Sequence, residues 1–230
     1  MAGAGKKTFT AGEVLTASDV NTYLMEQSVM VFGGTAARSS AIPTPSEGMT
    51  SYRTDTQQIE SYDGAEWRGM SGLQLVKKQT IGSGVSSVTV TGAFSATYDV
   101  YKIVVSGGVA SGDIALNLTL GSTTTGYYWA GTNQQFGSNT VNGGNGSNVA
   151  FFESVVYCST NALSGQIELD NPFATKRTMV RYQATGSSTT YFRNDAQGFL
   201  NDANSYTAFT LTTSSGTITG GTIYVYGYGT

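Results

Sequence analysis

Five carboxylates beyond the middle of the chain, Glu153, Glu168, Asp170, Asp195 and Asp202, are the side chains that could run acid–base chemistry. Glycoside hydrolysis needs only one acid and one base or nucleophile. Glu168 and Asp170 would share a face if one strand ran through both, but Asp170-Asn171-Pro172 reads as a turn that breaks that face, and a solvated turn carboxylate is the plainer reading. The chain has no histidine and one cysteine. That removes Ser-His-Asp and Cys-His nucleophile systems, the commonest zinc ligand and any thiolate cluster. Asp195 and Gln197 with Asn201, Asp202 and Asn204 offer oxygen ligands without the spacing of a calcium loop. No G-x-x-x-x-G-K-S/T phosphate loop is present. The residues therefore predict no enzyme, no cofactor and no metal.

Binding is the better prospect. Tyr127, Tyr128 and Trp129 lie close to Asn133, Gln134 and Gln135, followed by the run Gly143–Asn148, in a stretch (121–148) that reads largely as loop. Aromatic faces suit the C–H patches of sugars, and amides suit their hydroxyls, so this stretch is a candidate glycan or receptor site. The same composition equally fits a contact between subunits. A second stretch, 191–206, places Tyr191, Arg193, Asn194 and Asp195 ahead of Phe199 and Tyr206. There, core aromatics with polar loop neighbours are the plainer reading.

The elements that must position these groups are mostly strands. Thirty glycines, 12% charged residues and runs of Thr, Ser, Val and Tyr favour short strands joined by turns. The 230 residues suit two unequal domains. The first, 1–70, holds a short helix over about 17–28, started by Thr16 or Ser18, then Val29-Met30-Val31-Phe32 as a brief strand or extended anchor. After the Pro43-Thr44-Pro45 link comes a three-stranded meander over 48–69 with a hairpin turn at Asp63-Gly64. The second domain, 71–230, alternates in Tyr101–Val105, Ile114–Leu120 and Thr222–Tyr228 and suits an antiparallel β-sandwich of jelly-roll type. Strands are expected near 126–131, 149–158, 163–169, 177–184 and 190–193 among others. Cys158, in an apolar run, is expected to be a buried filler.

A formal charge of −3 and a pI near 4.9 argue against a nucleic-acid partner. The basic start Lys6-Lys7 is followed by no apolar h-region, so no standard export signal is expected. No window reaches the roughly 20 apolar residues of a membrane span.

The ordered pieces Phe9–Leu24, Val29–Phe32, Ala36-Ala37-Arg38, Ile42–Met49 and Tyr62-Asp63-Gly64-Ala65-Glu66-Trp67 resemble the N-terminal module of minor tail and tail-fibre-like structural proteins of tailed bacteriophages. The resemblance covers about the first 70 residues. It implies a virion protein, on the tail in preference to the head, made in the host cytoplasm and attached through that module to other virion proteins. Capsid decoration or head-fibre use, and a glycan-binding receptor-recognition module, are the alternatives. Phe9, Leu15, Val20, Tyr23, Leu24, Phe32, Tyr62 and Trp67 are the expected assembly and attachment residues. A homotrimer is the expected state, since closed symmetry covers short unstable elements and multiplies weak sites.

Overall fold

A computed structural model describes residues 7–25, 28–70, 72–187 and 191–228. The chain divides into two compact units between Gly72 and Leu73.

In the N-terminal unit Thr16 caps α1 (Ala17–Val20): its hydroxyl accepts the Asp19 N–H at 3.1 Å, and its own N–H donates to the Asp19 carboxylate at 3.2 Å. This reciprocal box satisfies amides that a helix start leaves without partners. The helix then widens into a π-helical turn over Asn21–Met25, so the helix expected at 17–28 is realised in two short pieces, and 26–27 lie outside the described residues. Such pieces do not persist alone. Lys7 clasps them from upstream, 2.6 Å from Asp19 and 2.8 Å from Glu13, with its ammonium 4.9 Å from the Phe9 ring centre and 5.9 Å from that of Tyr23.

A four-stranded sheet follows: β1 (Met30–Phe32), β2 (Thr50–Arg53), β3 (Gln58–Tyr62) and β4 (Trp67–Gly69), in that order, with β1 parallel to β2 and the rest antiparallel. The β3–β4 turn is set by Asp63, whose carboxylate accepts the Ala65 and Glu66 N–H groups at 2.9 and 2.8 Å, and by Gly64 at φ 98°. Between β1 and β2 lies α2 (Thr35–Ala41), which the sequence reading did not anticipate.

The C-terminal unit contains β5 (Leu73–Thr80), β6 (Ser87–Val90), β7 (Val100–Ser106), β8 (Val109–Ala110), β9 (Ile114–Leu120), β10 (Tyr127–Gln135) and β11 (Val141–Val149). These are followed by β12 (Phe152–Cys158), β13 (Leu163–Asp170), β14 (Thr178–Ser187), β15 (Tyr191–Leu200), β16 (Phe209–Thr213), β17 (Ile218–Thr219) and β18 (Thr222–Tyr228). One antiparallel layer runs β5-β18-β7-β13-β14-β15-β10-β11 and the other β12-β9-β16-β6; β8 and β17 form a separate small pair.

The layers join at β13. One edge of β13 pairs with β7, while its other edge pairs with β12 at Leu163–Ser164 and with β14 from Gly165 onward. At this fold β12 passes so close over β13 that a Cβ on Gly165 would meet Val156. Inward residues of both layers, among them Tyr101, Ile103, Leu116, Leu118, Ile167 and Val225, form one apolar core. Across it Tyr127 of β10 meets Phe152 of β12 edge-on, ring centres 4.8 Å apart. The fold is a mostly-β antiparallel sandwich.

Three expectations need correction. The strand expected at 126–131 runs on to Gln135, and most of the expected loop 121–148 is the β10–β11 hairpin. The strand expected at 190–193 runs to Leu200. β13 continues through Asp170, so Glu168 and Asp170 do share a face; the turn begins at Asn171, which takes the left-handed φ of 59°.

Candidate functional site

The N-terminal unit is built with its polarity reversed. Among its described residues the buried ones are Arg38, Ser51 and Glu60, at 4, 0 and 6% exposure, and no apolar side chain reaches that state. Arg38 reaches from α2 onto one face of the sheet, where its guanidinium pairs with Glu60 of β3 and stands 4.4 Å from the Trp67 ring centre. Arg53 of β2 takes the second Glu60 oxygen at 3.2 Å and holds Asp55 at 2.7 Å. Burial, reinforced by the like charge of Arg53, pushes the Arg38 pKa down from its ordinary value. Tyr62 and Trp67 stand opposite one another on this face, ring centres 5.6 Å apart.

The other face carries an apolar row. Strand register places Val31, Tyr52 and Ile59 side by side, and Met70 adjoins them through its N–H to the Ile59 carbonyl at 3.0 Å. Val31, Ile59 and Met70 are 65, 46 and 69% exposed. The expected attachment residues fall elsewhere: Phe9, Val20 and Tyr23 are half-buried beside the Lys7 clasp, Leu15 is exposed, and Phe32, Tyr62 and Trp67 belong to the Arg38 face. The Leu24 side chain lies outside the described ones. The missed signal was local: alternation through Ile59-Glu60 turns the carboxylate inward and the aliphatic side chain out.

In the sandwich, period-two alternation divides the expected glycan-binding residues between opposite faces of β10. Tyr127 points inward and is fully buried, its hydroxyl accepting the Leu120 N–H at 2.8 Å and donating to the Thr123 carbonyl at 3.1 Å; burial raises its pKa. Trp129 also points inward, packed on the core and over the backbone of β11, where a Cβ on Gly146 would collide with its indole nitrogen. Asn133 shares their parity. Tyr128 and Gln134 point the other way, and Gln135 ends the strand. These six residues therefore do not make one site.

The outward face of the eight-stranded layer makes a different one, a groove of about 510 Å³ crossing β7, β13, β14, β15 and β10. Register aligns two rows along it: Lys102, Glu168, Arg181, Gln197 and Ala130 in one, and Gln166, Gln183, Asp195 and Thr132 in the next. The charges are largely engaged with one another. Arg181 bonds Asp170 at 3.0 and 3.1 Å and Glu168 at 3.5 Å, Arg193 pairs with Asp195, and Glu168 accepts from the Tyr228 hydroxyl. A wall beside the first row consists of Met179, Phe199 and Tyr128, with the two rings stacked 5.1 Å apart at 9°. Arg177 lies 5.4 Å from the Phe199 ring centre.

The candidate carboxylates separate in the same way. Glu168, Asp170 and Asp195 are ion-paired to arginine, and Asp202 accepts from the Asn204 N–H at 3.2 Å and from the Tyr206 hydroxyl at 2.5 Å. Glu153 stands on β12, in the other layer. Among the described residues no three His, Cys, Asp or Glu side chains gather as a metal site. No helix of the described chain is long and apolar enough to cross a membrane. Comparison with protein-family models, with curated proteins and with solved structures found no match for this chain.

Proposed function

We propose that this chain is a non-enzymatic structural subunit of a tailed-bacteriophage particle, a minor tail or tail-fibre component held in place by its N-terminal unit. The reversed polarity of that unit carries the reading. A domain stabilised by its own core buries apolar side chains; this one buries Arg38, Ser51 and Glu60 and leaves Val31, Ile59 and Met70 in solvent. The exposed row is the contact for a neighbouring structural protein of the particle, which supplies the missing apolar cover. The resemblance of residues 9–67 to phage attachment modules supports the same assignment. The sandwich is the part offered to the host surface, in several copies, a trimer being the simplest closed arrangement.

Complementation tests this. Particles lacking the gene are assembled with the wild-type chain or with Ile59→Asp/Met70→Asp, purified and analysed by mass spectrometry. The wild type should be present and the variant depleted at least about tenfold, as the loss of two buried apolar anchors implies. Purified particles without the wild-type chain would remove the virion assignment, and equal incorporation of both chains would remove the apolar row as the contact.

A further inference from the structure

The groove on the eight-stranded layer holds both engaged and unengaged polar groups, and the difference bears on what it could take. Gln166, Gln183 and Gln197 are exposed, come from three adjacent strands, and make no side-chain hydrogen bond with the described residues. The Thr132 hydroxyl is in the same condition. Gln166 and Gln183 are directly opposed across β13 and β14, which sets their Cβ atoms about 5 Å apart. The arginines and carboxylates beside them are tied up in the ion pairs already described. Lys102, opposite Glu168 at one end of the groove, makes no ion pair with the described residues, but the charges around the groove balance, Lys102, Arg181 and Arg193 against Glu168, Asp170 and Asp195, so the groove as a whole favours a neutral ligand over an anion.

We propose that this groove binds a neutral oligosaccharide, laid across the strands, with the Gln166, Gln183 and Gln197 amides reading its hydroxyls and the Phe199–Tyr128 stack flanking its rings. A primary amide offers a donor and an acceptor on one planar group, which matches the paired donor and acceptor character of adjacent hydroxyls. An aromatic face adds apolar cover for sugar C–H groups. Five strands about 4.8 Å apart make the trough about 19 Å long, which suits several sugar units better than one. Its volume of about 510 Å³ lies within the range of ligand sites. The site replaces the β10 loop patch as the place for sugar recognition, and it stands independently of where the chain sits in a particle.

The intact chain is titrated calorimetrically with neutral hexose and N-acetylhexosamine hexasaccharides, and in parallel with a sulfated and a uronic-acid hexasaccharide. At least one neutral sugar should bind, with an affinity insensitive to added salt. Gln183→Ala/Gln197→Ala should weaken it at least about tenfold, through the loss of the amides' hydrogen bonds to the sugar. Thr89→Ala, on β6 in the other layer, should leave it unchanged. Retained protection of the Cys158 thiol from modification shows that the double variant is folded. Silence toward every sugar overturns the proposal. So does binding confined to the acidic sugars and abolished by salt, or neutral binding that the double variant leaves intact.

Discussion

The Arg38 guanidinium and the Glu60 carboxylate pair inside the N-terminal unit with 5 and 8% of their side chains exposed. Breaking one side of such a pair leaves a buried charge uncompensated and typically costs about 3–5 kcal/mol, whereas replacing both with apolar groups is often neutral. Arg38→Met or Glu60→Leu alone should therefore loosen the unit, and the double variant should recover much of the loss. Limited proteolysis followed by mass spectrometry reads this directly. Cleavage within residues 33–66 should accelerate in each single variant and slow again in the pair; unchanged cleavage in Glu60→Leu would deny the ion pair its structural role.

The Lys7 clasp makes the N-terminal segment sensitive to acid. Its hydrogen bond to Asp19, with the Thr16 hydroxyl, lowers the Asp19 pKa to about 2. A carboxylate depressed on folding contributes stability that is present above its ordinary value of about 3.9 and is lost as the pH falls through the folded value. The segment should therefore remain docked at about pH 5 and release between about pH 4 and 2. The Lys7 pKa is raised by the same bond, so on the alkaline side the bond is fully present up to the ordinary 10.5 and is lost as the pH rises through the raised value. Carboxyl NMR should place the Asp19 midpoint near 2. A midpoint at the ordinary value would mean that the clasp does not form in solution.

How far the sequence was readable depended on what each strand buries. β7, β9 and β18 alternate because one face of each enters the core, and their period shows in the residues themselves. β11 does not: Val141–Val149 is mostly exposed, rich in Gly and Asn, and extended because β10 supplies its ladder. Gly146 makes room for Trp129, a requirement visible only once the two strands are paired. α2 is seven residues without an apolar stripe, so no period marked it, yet it delivers Arg38. The groove was unreadable for another reason. Lys102, Gln166, Gln183, Gln197 and Thr132 come from five strands and meet only through register.

Cys158 offers a probe of sandwich integrity. It is 3% exposed in β12, between β9 and β13, and burial pushes its thiol pKa up to about 12. The thiolate is the reactive form, so neither access nor ionisation favours modification. A thiol reagent at about pH 8 should leave the native chain unmodified and label one site per chain after denaturation. Rapid labelling of the native chain would show that the β12 corner opens.

Tyr127 and Tyr182 are both buried against the core, but their hydroxyls differ in one respect. That of Tyr127 accepts from Leu120 and donates to Thr123, whereas that of Tyr182 finds no hydrogen-bond partner among the described residues. Burial raises the pKa of both phenols, so neither ionises at neutral pH. Removing a satisfied hydroxyl forfeits its bonds and leaves the Leu120 N–H without an acceptor, a loss of about 1–3 kcal/mol; removing an unsatisfied one relieves a desolvation cost of similar size. Tyr127→Phe should lower the thermal midpoint by several degrees, and Tyr182→Phe should leave it unchanged or raise it by about 2–4 °C. Paired melting curves decide the matter. A Tyr182→Phe midpoint that falls as far as that of Tyr127→Phe would mean that the Tyr182 hydroxyl is bonded in solution and that the interior beneath the groove is arranged differently.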